Sequence, residues 1–318
     1  MQSAIGRENP LPSETVTPTL HATRCAICGT KGAADEVWPP RLGDAVFNAE
    51  VFSARRLPDR LHYRLVRCTS CGLVRSDPVA SADMLANLYR ESTFDYGEEV
   101  ASLNATYGRY LARASKHAGG TSALLEVGCG NGFFLEEALH QGWATVWGVE
   151  PSTDAIARAP ASIQAHIKCD VMRPGLFEPE MFDAICFFQV MDHLPDPAGV
   201  LRHSVELLRS GGVVLCLNHN VTAWSARLLG ERSPIVDVEH TYLYSPDTMR
   251  QLLEGAGLRV VEAGAVWNTY SVSYLVHLPP LPRKLKQLAL KWLERSAAGR
   301  LTLRVPLGNQ YVIARRER

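Results

Sequence analysis

The stretch Leu124–Gly132 (LLEVGCGNG) decides the fold of this chain. An apolar run ends in three glycines with the spacing G-x-G-x-G, and a helical pattern begins at Phe133. Glycine is favoured where a strand turns sharply into a helix, because it adopts positive φ without strain and has no Cβ to obstruct a ligand. The free N–H groups at the start of the helix would face that ligand. We therefore predict a strand, a ligand-binding turn and a helix, in this order.

Three acidic residues accompany the glycines. Glu126 lies inside the first predicted strand, where it suits a cationic group and would repel a phosphate. Glu150 closes the apolar run 144–149, and a carboxylate at the tip of this second strand can accept hydrogen bonds from both hydroxyls of a ribose. Asp170 closes a third run, 163–169, and can accept a hydrogen bond from an adenine amino group. Dinucleotide sites usually have the pattern G-x-G-x-x-G instead, and bind a pyrophosphate.

This ordered combination resembles the S-adenosylmethionine site of class I methyltransferases. The resemblance implies that an aromatic residue, Phe94 or Tyr96, closes over the cofactor, although these rings could equally pack the following helix onto the sheet. The alternative for the whole site is a Rossmann-like fold whose nucleotide site is inactive or binds another ligand. We assign to the cofactor site Glu126, Gly128, Cys129, Gly130, Gly132, Glu150, Pro151, Asp170, Val171, Gln189 and Tyr96.

The sequence after residue 85 follows the pattern of the same family. Near-continuous apolar runs are typical of parallel strands covered on both faces, and helices are predicted to begin at Asp196 and Ser245, each followed by proline. The fold class is therefore α/β. The resemblance implies a seven-stranded Rossmann-like sheet with helices on both faces and a reversed last strand. The later strands are predicted at 181–190, 213–217, 258–263 and 310–314.

Two C-x-x-C-G motifs lie upstream of this domain. Two such turns place four thiolates at the corners of a tetrahedron, as in a structural zinc site, and four cysteine ligands leave no open position for catalysis. The glycine after each pair relieves the tight turn. Thirty-nine residues lie between the two pairs, so the intervening segment must loop out. Two disulfides or a redox pair are the alternatives. The predicted zinc ligands are Cys25, Cys28, Cys68 and Cys71.

These patterns divide the chain into three parts. Residues 1–22 are rich in Pro, Ser and Thr and are predicted to be a disordered tail. Residues 23–80 form the predicted zinc-binding module. Residues 85–318 form the predicted methyltransferase domain, in which 220–244 and 266–304 are interpreted as substrate-cap or peripheral insertions.

Composition restricts the function further. The 33 basic and 33 acidic residues cancel, which argues against a nucleic-acid partner. The sequence has no recognisable secretory signal and no hydrophobic run long enough to span a bilayer, so we expect a cytoplasmic enzyme with reduced thiols. Cys169, Cys186 and Cys216 lie in predicted strands and are interpreted as core residues rather than nucleophiles.

Histidines supply the candidates for acid–base chemistry. A hydroxyl acceptor needs a base, and histidine is suited to this role near neutral pH. His193 follows the fourth predicted strand at the carboxyl edge of the sheet, where such folds bind ligands, and the adjacent Asp192 can orient it. His240 lies in the insertion 220–244 and is a second candidate. The alternative role of His193 is a helix-entry residue bonded to backbone. Further acceptor-site candidates are Asn218, His219 and Tyr242.

The combination of cysteine motifs with a methyltransferase domain resembles enzymes that act on sugars. Sugar C-methyltransferases of this type carry an additional C-terminal domain that has no counterpart after the last predicted strand. We therefore expect an O-methyl acceptor such as a sugar, a glycan or a natural product. The alternatives are C-methylation, methylation of RNA held by the cysteine module, and a non-catalytic cofactor-binding protein. The basic amphipathic stretch 283–295 is interpreted as a packing or homodimerisation helix or, alternatively, as a peripheral membrane contact.

Overall fold

The computed structural model describes residues 19–43, 60–91, 100–272, 276, 292–293, 296 and 301–317. Most of the predicted tail, the aromatic lid candidates Phe94 and Tyr96, and nearly all of the basic stretch 283–295 lie outside these residues. Within the described ranges, no helix combines the length and the apolar character required to cross a membrane.

The N-terminal module is built from short strands and one helix. Its main sheet contains three antiparallel strands in which β3 lies between β2 and β4, and a separate two-stranded pair joins β1 to β5. The elements are β1 (Leu20–His21), β2 (Ala34–Trp38), β3 (Leu65–Cys68), β4 (Val74–Ser76), β5 (Val79–Ala80) and α1 (Ala82–Glu91).

Strands and helices alternate through most of the second domain, as predicted. A short 3₁₀ turn at Gly230–Arg232 follows its helix α7. The elements are α2 (Val100–Ala114), β6 (Ala123–Val127), α3 (Phe133–His140), β7 (Thr145–Val149), α4 (Thr153–Ala157), α5 (Ala161–Gln164), β8 (Ile167–Lys168), β9 (Phe182–Phe188), α6 (Pro197–Leu207), β10 (Leu208–His219), α7 (Trp224–Leu229), β11 (Tyr242–Leu243), α8 (Pro246–Gly255), β12 (Leu258–Ala265), β13 (Asn268–Ser271), β14 (Thr302–Val305) and β15 (Asn309–Arg316).

Seven of these strands form one sheet in the order β12-β15-β10-β9-β6-β7-β8. The five strands from β10 to β8 are parallel, and β15 runs antiparallel to both of its neighbours, β10 and β12. The prediction of an α/β fold with a seven-stranded sheet and a reversed last strand is confirmed. Because parallel strands end at the same edge, the residues that follow β6, β7, β9 and β10 meet there.

The helix starts follow the predicted capping pattern. The Asp196 carboxylate accepts a hydrogen bond from the Gly199 N–H at the start of α6 (2.9 Å), and Ser245 forms a reciprocal capping box with Thr248 at the start of α8. Both helices pack on the sheet, whose faces are covered by two large clusters of buried apolar side chains. The caps thus fix the residues at which α6 and α8 begin.

The predicted third strand is wrong in its extent. The apolar run 163–169 begins in helix α5, and only Ile167 and Lys168 pair with β7. Pro160 starts the helix, since its carbonyl accepts hydrogen bonds from the N–H groups of Ile163 and Gln164 (2.8 and 2.9 Å). Cys169, which was expected in the core, is consequently exposed. The interpretation of Cys186 and Cys216 as buried core residues is confirmed.

The insertion 220–244 contacts the N-terminal module. Its strand β11 pairs antiparallel with β4, so that the module's sheet gains a fourth strand from the second domain. Ile235 and Val236 of the insertion are buried in one apolar cluster with Leu65 and Val74 of the module. Strands β13 and β14, which pair antiparallel with each other, lie at the two ends of the second insertion, 266–304.

Candidate active site and cysteine cluster

The turn after β6 requires glycine for two reasons. Gly128, Gly130 and Gly132 all have positive φ angles, of 73°, 54° and 73°. A Cβ at Gly128 would lie 2.6 Å from Val190 Cγ2, and one at Gly132 would lie 2.5 Å from Ile163 Cγ2. Both distances are shorter than the closest contacts that Cβ atoms make in proteins, so a larger residue would force a shift. The G-x-G-x-G pattern therefore reflects backbone conformation and close packing together.

Glu150 supports this turn directly. Its Oε2 accepts a hydrogen bond from the Gly130 N–H (2.9 Å), and its Oε1 accepts one from the Ser152 N–H (2.8 Å). The side chain is buried, and burial raises the pKa of the carboxyl group although both N–H groups oppose this. The sequence indicated a ribose ligand here, but the link to Gly130 was missed, because the residue spacing alone carries no signal for it.

Glu126 is the buried acid of β6. It is 3% exposed, and its Oε2 has no hydrogen-bond partner among the residues that the structure describes. Burial raises the pKa of this carboxyl group well above its ordinary value, and the nearby Glu150 adds to the effect. An unpaired carboxylate oxygen in such a place is costly unless a cation or a donor reaches it. The group therefore fits the cationic amino group of S-adenosylmethionine.

The remaining residues assigned to the cofactor site differ in burial and in hydrogen bonding. Gln189 follows β9 with a φ of 56°, a conformation unusual outside glycine, and its buried Oε1 has no partner within the described ranges. Cys129 is buried, and its Sγ occupies the space next to Gly148. Asp170 is half-buried, and its hydrogen bond with Arg173 lowers its pKa. Pro151 is half-buried and Val171 is exposed.

Glu126→Gln is expected to flatten the pH dependence of stability in the cofactor-free protein. Because the folded-state pKa of Glu126 is raised above its ordinary value of 4.5, the stability that neutral Glu126 contributes is fully present below pH 4.5 and is lost as the pH rises through the folded-state value. The variant should also bind S-adenosylmethionine about 10- to 100-fold more weakly, since a hydrogen bond to a charged group is lost.

Urea unfolding from pH 5 to 8 and calorimetric titration check the two parts of this prediction. Glu136→Gln, on a half-buried acid in α3, is the matched control. Unchanged cofactor affinity in Glu126→Gln would contradict the assignment to the amino group.

A cluster of one aspartate and three histidines lies at the carboxyl edge of the sheet. Asp192 is 1% exposed, and its Oδ1 is 3.9 Å from His193 Nε2. Its Oδ2 is 4.0 Å from the Nε2 atoms of both His219 and His240. The ring centroids of His193 and His240 are 4.8 Å apart. The structure thus brings together the three predicted catalytic residues and adds His219, which ends β10.

The other ring nitrogen of each histidine has a partner. Tyr89 Oη is 3.0 Å from His193 Nδ1, and Asn309 Oδ1 is 2.9 Å from His219 Nδ1. The carbonyl oxygen of Ile235 is 2.9 Å from His240 Nδ1. Neither Tyr89 nor Asn309 was predicted to contact the site. The pairs are more than 80 residues apart in sequence, and no local pattern indicates them.

Burial dominates the electrostatics of this cluster. Burial, the largest cause, and the neighbouring His193 together lower the pKa of His240 to about 3. Burial also lowers the pKa of His193, although Asp192 opposes the effect. For Asp192 itself burial works to raise the pKa, but the three histidines outweigh it and the pKa is lowered. Burial therefore disfavours the protonation of His193 and His240, whereas the Asp192 carboxylate stays ionised.

The four N-terminal cysteines converge as predicted. Their Sγ atoms all lie within 4.8 Å of one another, with Cys25 and Cys71 3.3 Å apart and Cys28 and Cys68 3.5 Å apart. These two separations exceed a disulfide bond and are slightly shorter than the spacing of about 3.8 Å expected between sulfurs around a zinc ion. Burial works to raise the pKa of the Cys68 thiol. Hydrogen bonds from the N–H groups of Cys71 and Ser70 outweigh this effect, and the pKa is lowered to about 6.

The glycine after each cysteine pair also behaves as predicted. Gly29 and Gly72 have φ angles of 71° and 78°, and each donates its N–H to the carbonyl oxygen of the first cysteine of its pair (2.9 Å). Each turn is therefore closed by a backbone hydrogen bond. The cluster is compatible with a metal ion held by four thiolates.

The topology and the turn geometry define a class I methyltransferase fold. A family model described as a methyltransferase domain matches residues 96–263, and the chain belongs to this family. It is an S-adenosylmethionine-dependent methyltransferase.

Similar proteins include ubiquinone biosynthesis O-methyltransferases. That of Dinoroseobacter shibae is 29% identical over 180 residues, which cover 52% of this chain and 71% of the relative. That of Nitrosomonas europaea is 27% identical over 161 residues, which cover 46% of this chain and 67% of the relative. Among solved structures, a SAM-dependent methyltransferase from Archaeoglobus fulgidus is 18% identical with a TM-score of 0.47, covering 67% of this chain and 94% of its own.

Proposed function

We propose that the protein methylates a hydroxyl oxygen of a small polar acceptor, such as a sugar, a glycan or a natural product. The observation that carries this proposal is the imidazole–carboxylate cluster of Asp192, His193, His219 and His240, in which Asp192 and His240 are buried and the other two side chains are partly exposed. Val190, two residues before Asp192, packs against Gly128 of the glycine turn. This contact supports a proton-accepting group next to the position assigned to the cofactor.

The cofactor is held in this proposal by the acids of β6 and β7. Glu126 binds its amino group, Glu150 its ribose hydroxyls and Asp170 its adenine amino group. When bound, S-adenosylmethionine supplies a methyl group on a sulfonium, which is already activated for in-line displacement. The protein's remaining tasks are to orient the acceptor and to remove its proton.

His193 is the proposed base. His193 Nδ1 lies 3.0 Å from Tyr89 Oη, and in the tautomer that we propose Nδ1–H donates to this oxygen, which leaves Nε2 to accept the proton of the acceptor hydroxyl. Asp192 Oδ1, 3.9 Å from this nitrogen, stabilises the imidazolium that forms. His240 is the second candidate for the base, but its Nδ1 is tied to the Ile235 carbonyl and burial disfavours its protonation more strongly.

Two further points support an oxygen acceptor. The similar proteins from Dinoroseobacter shibae and Nitrosomonas europaea are named as O-methyltransferases. The exposed cysteine Cys169 lies outside the histidine cluster, and Cys129, Cys186 and Cys216 are buried with pKa values raised by burial, so a thiolate nucleophile is not provided at the site.

The four-cysteine cluster is proposed to hold a structural zinc ion. Cys25, Cys28, Cys68 and Cys71 supply four thiolates, the donor set of closed structural zinc sites. The ion would cross-link β3 to the N-terminal turn, and it has no role in the methyl transfer.

His193→Ala is expected to lower turnover about 100-fold or more, because a general base contributes a factor of this size. Cofactor affinity should stay at the wild-type value, since the side-chain partners of His193 within the described ranges are Tyr89, Asp192 and His240, none of which is assigned to the cofactor. Tyr89→Phe keeps the ring but removes the hydroxyl at Nδ1, and it should give a smaller loss. Single-turnover kinetics with saturating cofactor measure both variants. Near-normal turnover of His193→Ala would transfer the role to His240.

The acceptor class is tested with radiolabelled S-adenosylmethionine and matched acceptor pairs. Each pair offers the same scaffold with a hydroxyl or with an amine, and the product is located by NMR as an O-, N- or C-methyl group. Methylation restricted to hydroxyl members supports the proposal. A C-methyl product, transfer to RNA, or cofactor binding without transfer to any member of the panel would contradict it.

A further inference from the structure

The atoms of Asp192, His219 and His240 that face one another are spaced for a metal ion. Asp192 Oδ2 is 4.0 Å from each of the two Nε2 atoms, and the three atoms lie within 4.8 Å of one another. Ligands bound at about 2.1 Å to one ion are about 3.0–3.5 Å apart. Inward movement of about 1 Å would therefore close the set around an ion. Asp192 follows β9, His219 ends β10 and His240 precedes β11, so the three residues come from separate parts of the chain.

The hydrogen bonds of the two rings give both Nε2 atoms free lone pairs. His240 Nδ1 donates to the carbonyl oxygen of Ile235 (2.9 Å), and His219 Nδ1 donates to Asn309 Oδ1 (2.9 Å). A neutral imidazole that donates through Nδ1 has a lone pair at Nε2. Metal-binding histidines usually have this second partner, which holds the ring in position and raises its basicity.

A simple ion pair does not account for this arrangement. A protonated Nε2 would approach the Asp192 carboxylate to about 2.8 Å, but both distances are 4.0 Å. Neither Asp192 oxygen accepts a hydrogen bond from any described residue, although the side chain is 1% exposed. Three acceptors therefore point at one another, no described residue places a donor between them, and such a group is costly without a cation.

We propose that Asp192, His219 and His240 bind a divalent first-row transition-metal ion, at a site separate from the four-cysteine cluster. Two imidazoles and one carboxylate suit borderline ions such as Zn²⁺, Fe²⁺ or Co²⁺, whereas Mg²⁺ and Ca²⁺ prefer oxygen ligands alone. Three protein ligands leave at least one position open, as in catalytic metal sites.

The open position gives the ion a role at the acceptor. This role, unlike the binding itself, rests on the proposed function. A hydroxyl bound to a divalent ion loses its proton more readily, and His193 Nε2, which faces the other oxygen of Asp192, is placed to receive that proton. The ion would thus bind the acceptor oxygen, and His193 would remain the base.

Cobalt titration of the full chain tests the site. The protein is first saturated with Zn²⁺ and freed from excess, so that the cysteine cluster is filled, and is then treated with a mild chelator and titrated with Co²⁺. Thiolate ligands give intense sulfur-to-cobalt charge-transfer bands, whereas nitrogen and oxygen ligands do not. We expect one Co²⁺ per chain without a charge-transfer band. Asp192→Asn should weaken this binding at least 100-fold.

The controls separate metal binding from general damage. His140→Ala, on an exposed histidine at the end of α3, should bind Co²⁺ as the wild type does. Metal-free Asp192→Asn should keep the circular dichroism spectrum of the metal-free wild type, because asparagine has the same size as aspartate and the carboxylate accepts no hydrogen bond from a described residue. If Asp192→Asn does not fold, His219→Ala, whose side chain is 27% exposed, carries the same test.

Three outcomes would overturn the proposal. They are the absence of Co²⁺ binding at millimolar concentration, binding seen only with a charge-transfer band, and binding that is unchanged in the variants. The titration uses neither cofactor nor acceptor. Its result therefore stands whether or not methyl transfer to hydroxyl groups is observed.

Discussion

Replacing Glu150 with alanine is expected to weaken the binding of S-adenosylmethionine about a thousandfold. If Glu150 binds the ribose as proposed, two hydrogen bonds between its carboxylate and the ribose hydroxyls are lost, each of which contributes about 1.5–3 kcal/mol. The change also removes the acceptor of the Gly130 and Ser152 N–H groups, so the glycine turn loses its support. Calorimetric titration with S-adenosylmethionine and S-adenosylhomocysteine measures the effect, which should be the same for both because they share the ribose.

Two controls distinguish the parts of this effect. Glu150→Gln keeps one oxygen for the turn and should lose less affinity than Glu150→Ala. Asp154→Ala, on the neighbouring helix α4, removes an acid that pairs with Arg158 at the surface and should leave affinity unchanged. If Glu150→Ala binds the cofactor as the wild type does, the ribose assignment is wrong.

Replacing Cys25 with serine is expected to abolish zinc binding by the cysteine cluster. Structural zinc sites contribute much of the folding free energy of small modules. Cys25 and Cys68 are buried in one apolar cluster with Met249 and Phe182 of the second domain, so the damage should spread. We expect the thermal midpoint to fall by about 10 °C or more.

The protein is treated with the mild chelator and then denatured, and the zinc released on denaturation gives the occupancy of the cluster. Cys169→Ser, on an exposed cysteine outside the cluster, is the matched control and should retain full zinc. Full occupancy in Cys25→Ser would refute a site of four thiolates. An unchanged thermal midpoint with zinc lost would show that the ion is not structural.

Features that depend on neighbouring residues were predictable from the sequence. The glycine turn, the capped starts of α6 and α8, and the closed cysteine turns each follow from backbone requirements within a few residues. The apolar run 163–169 was misinterpreted because hydrophobicity does not distinguish a short buried strand from the end of a helix. The helix start at Pro160 decided between them.

Features that join distant residues were not predictable in this way. The sequence placed His193 and His219 at the carboxyl edge of the sheet, because each follows a predicted strand. It carried no information on the orientation of their rings, which Tyr89 and Asn309 set. The pairing of β11 with β4 involves only two residues on β11, at a separation of more than 160 residues along the chain, and such a short strand has no detectable pattern.

The pairing of β11 with β4 determines which parts of this enzyme can be exchanged independently. Ser76 Oγ donates to the carbonyl oxygen of His240 (3.0 Å), and the Thr241 N–H donates to the carbonyl oxygen of Asp192 (2.8 Å). The cysteine module is thus hydrogen-bonded to the segment that carries His240. A chimera that borrows the module from another enzyme must borrow residues 233–243 with it, although they lie far away in the chain. The part of this enzyme that must be exchanged as a whole therefore consists of two stretches that are separate in sequence and adjacent in space.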